Sequence, residues 1–176
     1  MQIAEKIKSE IREIPDFPKA GIVFKDITPI MLNPSLSNEV LSNLYEKYKN
    51  SGLTKIAGIE SRGFLFGYPL AMRLGVPFVL IRKEGKLPYN KISHSYNLEY
   101  GSATVEMHTD AIQSGDKVLI HDDLLATGGS ASAAAEIIIK QGGEVYGFNF
   151  LVGLSFLMGA DKLNKFTKNI VILADY

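Results

Sequence analysis

The chain has 176 residues, and its 19 Lys and Arg balance 19 Asp and Glu, so the formal net charge is zero. That balance offers no bulk attraction to nucleic acid or to an anionic membrane. The absence of cysteine excludes disulfides, thiolate metal sites and thiol catalysis. A hydrophobic content of 46% with 22% charged residues is that of an ordinary globular protein, and the length suits one domain over 1–176. The N-terminal MQIAEKIKSEIREI has no apolar signal-like core, and no run approaches 18 apolar residues. The expectation is a cytoplasmic protein without membrane or nucleic-acid partners.

Along the chain, Ile3, Ile7, Ile11 and Ile14 recur at helical spacing and predict an amphipathic helix ending before Pro15. Residues 15–34 are rich in Pro and Gly and carry the apolar patch GIVF at 21–24. Val40, Leu41, Leu44, Tyr45 and Tyr48 line one side of a second helix. Lys55 to Ile59 reads as the first central strand, followed by Glu60-Ser61-Arg62-Gly63 and a helix from about Phe64 to Leu74. Val76 to Ile81 is the next strand. The polar segment 82–97 has no clear periodicity and is long enough to be read as a flexible functional loop. A strand at 117–120, a helix at 131–140, a strand at 145–152 and a last strand at 170–173 complete an alternating pattern. Such alternation predicts an α/β fold with a mostly parallel sheet flanked by helices.

The most informative segment is VLIHDDLLATGGS at 118–130. A buried strand ends in Asp122 and Asp123, where open α/β sheets bind ligands. Ala126, Thr127, Gly128, Gly129 and Ser130 then open a helix whose free N–H groups form an anion site. No Gly-Lys-Ser/Thr follows the glycines, so this is not a nucleotide P-loop, and no GxGxxG is present. The segment reads as phosphate on the amides and sugar hydroxyls on the carboxylates. His121 beside the carboxylates is read as structural, and neither His94 nor His108 has ligand-like spacing. No intrinsic metal site is expected.

Five ordered motifs carry a resemblance over about Ile11 to Val171: DFPKAGIVFKDITP at 16–29, GIESRGFLFG at 58–67, VPFVLIRKEGKLP at 76–88, YNLEYG at 96–101 and VLIHDDLLATGGS. Together they resemble the adenine phosphoribosyltransferases, a branch of the type I phosphoribosyltransferases. The resemblance implies that fold with a small N-terminal base-binding hood at 1–34 and a lid loop at 82–97. It implies transfer of 5-phosphoribose from 5-phosphoribosyl 1-diphosphate to adenine, giving AMP and diphosphate in purine salvage. Mg2+ would arrive with the diphosphate, and the enzyme would be a homodimer.

Residue by residue, the resemblance places Asp122 and Asp123 on the ribose hydroxyls and residues 126–130 on the 5′-phosphate. Glu60, Ser61 and Arg62 would serve the diphosphate from a turn with a cis peptide between Glu60 and Ser61. The basic cluster Arg82, Lys83 and Lys86 faces the same group, in its own or the partner subunit's site. Val23, Phe24 and Lys25 match the base-binding segment, with Phe24 stacking on the purine. Lys25 stands where the family often has arginine, which keeps the charge and loses the planar fork. Glu99 would be the acid–base group at the purine N7. Two alternatives stay open: the same chemistry on a 6-oxopurine, and a non-enzymatic regulator that keeps the fold as a ligand sensor.

Overall fold

The computed structural model describes residues 2–97 and 101–176. In chain order the elements are α1 (Ile3–Glu10), β1 (Arg12–Pro15), β2 (Val23–Asp26), α2 (Thr28–Leu32), α3 (Pro34–Tyr48), β3 (Lys55–Ile59) and α4 (Gly63–Leu74). There follow β4 (Phe78–Lys83), β5 (Lys91–Asn97), β6 (Ser102–His108), β7 (Lys117–Leu125), α5 (Gly129–Lys140), β8 (Glu144–Gly153), α6 (Gly159–Leu163) and β9 (Ile170–Asp175). Seven strands form one sheet in the order β5-β6-β4-β3-β7-β8-β9, and β6 alone among them runs antiparallel to its neighbours.

Central strands β3, β7 and β8 are apolar on both faces, as strands sandwiched between helices must be. On one face lies α5, whose Ala131, Ala133, Ala134, Ala135, Ile137 and Ile138 are buried. Its small residues bring the helix close to the sheet. The other face is covered by α1, α3 and α4. Asn33 caps α3 by accepting from the Leu36 N–H at 3.1 Å, Pro34 starts it, and Leu36, Val40, Leu44 and Tyr48 bury its inner stripe.

The connection from β3 leads through α4 to β4 on one side, whereas β7 lies on the other side of β3. The chain therefore changes direction between β3 and β7, and the crevice beyond their C-terminal ends is the expected ligand site of an open α/β sheet.

Three sequence expectations are revised. The first helix stops at Glu10, and Arg12–Pro15 instead pairs with Val23–Asp26, placing Ile14 opposite Phe24. Pro15 disfavours helical backbone at Ile14, and the unpaired GIVF patch supplies a strand partner. The segment 82–97 is strand at both ends. Arg82 and Lys83 complete β4, and Lys91–Asn97 forms β5, from Lys91 opposite His108 to Asn97 opposite Ser102. Polarity concealed an edge strand whose Ile92, His94 and Tyr96 are half-buried while Lys91, Ser93 and Ser95 are exposed. Finally, β7 runs on to Leu125, so Asp122 and Asp123 lie within the strand, with Asp122 opposite Phe150 of the long strand β8.

Candidate active site

The crevice is floored by β7. Asp123 is buried, and its Oδ2 lies 3.1 Å from Arg62 Nε. Asp122 accepts at Oδ1 from the Asp123 N–H at 2.9 Å and faces a cleft of about 100 Å³ formed with residues 124–131 and Phe150. Burial raises the carboxyl of Asp122 well above the ordinary aspartate range, and the neighbouring charge of Asp123 adds to the effect. Burial also raises Asp123, against the pull of the Arg62 guanidinium. The pair thus holds protons to higher pH than a free aspartate would.

Beyond β7 the chain turns through Ala126-Thr127-Gly128. Gly128 adopts φ 75°, and a Cβ there would sit 2.7 Å from the Gly159 carbonyl oxygen. Left-handed backbone and close packing on the neighbouring turn both require glycine. The turn delivers Gly129 and Ser130 to the start of α5, a 12-residue helix whose first N–H groups have no intrahelical acceptor. Ser130 Oγ lies 3.0 Å from the Tyr96 hydroxyl of β5.

From the other side of the crevice, α4 presses on the same strand. A Cβ at Gly63 would lie 2.8 Å from the His121 carbonyl and 3.0 Å from Asp122 Oδ1. The turn before it contains a cis Glu60–Ser61 peptide, as the resemblance implied. Glu60 does not stand free in the crevice. It accepts from Arg82 Nε and Nη2 at 3.1 and 3.2 Å and from the Lys83 N–H at 2.7 Å, which holds its carboxyl below the usual range. Lys83, the last residue of β4, and Lys86, on the turn that follows it, are both exposed.

The two-stranded ribbon of β1 and β2 also contributes, through β2. Phe24 is half-buried, meets Phe17 edge-on at 5.2 Å, and has the Arg62 guanidinium carbon 5.2 Å from its ring centre. Arg62 therefore bridges Phe24 of β2 to Asp123. Val23 is exposed beside Phe24. The Lys25 side chain leaves this group: it is buried, pairs with Glu13, and holds its ammonium 4.0 Å from the centre of the Tyr176 ring. Glu99 lies outside the described residues.

His121 is fully buried and gives Nδ1 to Asn149 Oδ1 at 2.7 Å. Burial lowers its pKa to about 4, so it is neutral near pH 7 and packs as a structural residue. Sequence reading missed Asn149, which sits inside an apolar strand, and Tyr96. The alternation of Ile92, His94 and Tyr96 was the available signal for the latter. Among the described residues, no group of three or more His, Asp or Glu is arranged to hold a metal ion, and no helix is long and apolar enough to cross a membrane.

Comparison with known proteins finds similarity over nearly the whole chain. The phosphoribosyl transferase domain family model matches residues 26–165. The adenine phosphoribosyltransferase of Anaeromyxobacter dehalogenans is 50% identical, over 90% of this chain and 92% of its own. The crystal structure of the adenine phosphoribosyltransferase from Thermoanaerobacter pseudethanolicus superimposes with a TM-score of 0.94 at 47% identity, covering 98% of this chain and 99% of that one. The Saccharomyces cerevisiae enzyme, solved with an imino-altritol bisphosphate and adenine, gives 0.88 at 40% identity, covering 98% and 97%.

Proposed function

This chain belongs to the adenine phosphoribosyltransferases, within the phosphoribosyl transferase family, and from that premise we propose which of its residues carry the reaction. The reaction is transfer of 5-phosphoribose from 5-phosphoribosyl 1-diphosphate to adenine, which makes the chain a pentosyltransferase of purine salvage.

Displacement at the anomeric carbon asks for two positioned substrates, stabilisation of positive charge on the ribose and of negative charge on the leaving diphosphate. Asp122 and Asp123 accept from the ribose hydroxyls, and their charge favours the cationic ring. The N–H groups of residues 126–130, with the Thr127 and Ser130 hydroxyls, hold the 5′-phosphate. Anchoring that remote dianion supplies binding energy usable at the reacting carbon. Arg62, Lys83 and Lys86 face the diphosphate, while Glu60 and Arg82 brace the Ser61–Arg62 turn. Mg2+ enters with the diphosphate as part of the substrate, held by phosphate oxygens and water.

Phe24 stacks on the purine, and backbone groups of Val23 and Lys25 read its edge. An unmatched buried donor or acceptor is costly, which separates a 6-amino from a 6-oxo purine. Glu99 is assigned the N7 proton on the resemblance, with segment 82–97 as the stem of a lid. The observation that carries the whole reading is Arg62, set between Phe24 at 5.2 Å and Asp123 at 3.1 Å. It joins the base side of one cleft to the ribose side.

The exposed Leu65, Tyr68 and Met72 of α4, with Leu80 of β4, form an apolar surface that supports a homodimer. Incubating the purified protein with 5-phosphoribosyl 1-diphosphate, Mg2+ and adenine, hypoxanthine or guanine tests the assignment. AMP and diphosphate form with adenine. Turnover of hypoxanthine without turnover of adenine overturns it.

A further inference from the structure

Tyr96 has a place in the site that neither its strand nor its neighbours in sequence require. It projects from the edge strand β5, is half-buried, and packs against the core beneath α5. The ring lies on the phosphate turn: a Cβ added at Gly129 would be 3.4 Å from Tyr96 Cδ2 and Cε2. Its hydroxyl is 3.0 Å from Ser130 Oγ.

We propose that Tyr96 is a positioning residue of the 5′-phosphate subsite, acting through Ser130. This rests on the assignment of the 126–130 turn to the 5′-phosphate. A serine hydroxyl has one proton and accepts with its lone pairs. Beside a phosphate dianion that proton is best spent on a phosphate oxygen, since hydrogen bonds to charged acceptors are the strong ones. Ser130 can donate there only if its bond to Tyr96 is one it accepts. The phenol is the more acidic hydroxyl, and in donating to Oγ it turns the serine proton toward the cleft. Tyr96 thus acts as the outer member of a relay from phenol to serine to phosphate. It touches no substrate atom itself.

Tyr96→Phe keeps the ring on Gly129 and removes only the hydroxyl. It is expected to raise KM for 5-phosphoribosyl 1-diphosphate about three- to tenfold, the span of one neutral hydrogen bond. KM for adenine, kcat and the thermal midpoint change little. Ser130→Ala raises the same KM, and adding Tyr96→Phe to it has no further effect, because the relay is already broken. An unchanged KM for the donor in Tyr96→Phe, with a raised one in Ser130→Ala, overturns the inference and leaves the phosphate assignment standing. So do effects that multiply in the double variant, or a Tyr96→Phe that lowers the thermal midpoint while both KM values move together. If Ser130→Ala is itself silent, the phosphate assignment of the turn fails with it.

Discussion

Residues 117–140 and residues 12–26 border the same cleft, yet they are built differently. The proposed donor cradle is contiguous in sequence: one buried strand, one glycine turn and one helix, packed between β3 and β8. The proposed base hood is a two-stranded ribbon outside the main sheet, with Phe17 and Val23 exposed. A two-stranded ribbon has little core of its own, and Phe24 meets the cradle through Arg62. Under the proposed assignment, phosphoribosyl chemistry is held by the stiff interior, whereas choice of base is delegated to a peripheral element. Substitutions in the cradle should therefore cost turnover or stability, and those in the hood should cost mainly affinity for the base.

The largest expected effect tests the cradle. Asp123→Asn should lower turnover roughly 100-fold, comparable to losing one electrostatic stabiliser of a transition state, with the circular dichroism spectrum unchanged. Unaltered steady-state constants would detach the acidic pair from the ribose.

The next concerns what lies beneath that pair. His121 has a pKa of about 4 in the folded chain against 6.5 for the free side chain. The folded state therefore binds fewer protons. Stability is full above about pH 6.5 and falls toward pH 4, by roughly 3 kcal/mol across the interval. Urea unfolding of the parent and His121→Gln at pH 7 and pH 4.5 measures this. The gap between the two proteins should shrink or reverse in acid, and a constant gap would remove His121 as its source.

Phe24→Ala probes the hood. Loss of base stacking, about 1–3 kcal/mol, should raise KM for adenine at least several-fold and move KM for the donor less. The opposite pattern would break the contrast between the two regions. Lys25→Ala is the mildest case. It removes an ion pair with half-exposed Glu13 and a cation–π contact with Tyr176, together about 1 kcal/mol of stability by thermal melting. The rise in KM for adenine should be smaller than for Phe24→Ala. A larger one would place the lysine side chain on the base.

Much of this was legible before the fold. The alternation of apolar strands and helices announced the sheet, and local physics alone was enough to propose the TGGS turn at a helix start as an anion site. Polar strand β5 was not legible, because an edge strand needs only one buried face and its partner, β6, lies beyond the residues that follow it. The same holds for β1, where helical spacing of isoleucines lost to the pairing of Ile14 with Phe24. Arg82 read as one of a basic cluster for the diphosphate, and only folding shows it held by Glu60, 22 residues away.

The amino-acid sequence by itself determined the reaction class, since the proposed donor site is one uninterrupted segment whose parts act through their immediate neighbours. It also determined the family, through five motifs in order. Tertiary structure alone decided that Arg62 spans Phe24 and Asp123, that Tyr96 rests on Ser130, and that His121 is buried against Asn149. Each of those contacts joins residues distant in the chain. Strand register and helix packing set them, and neither is a property of any local stretch of sequence.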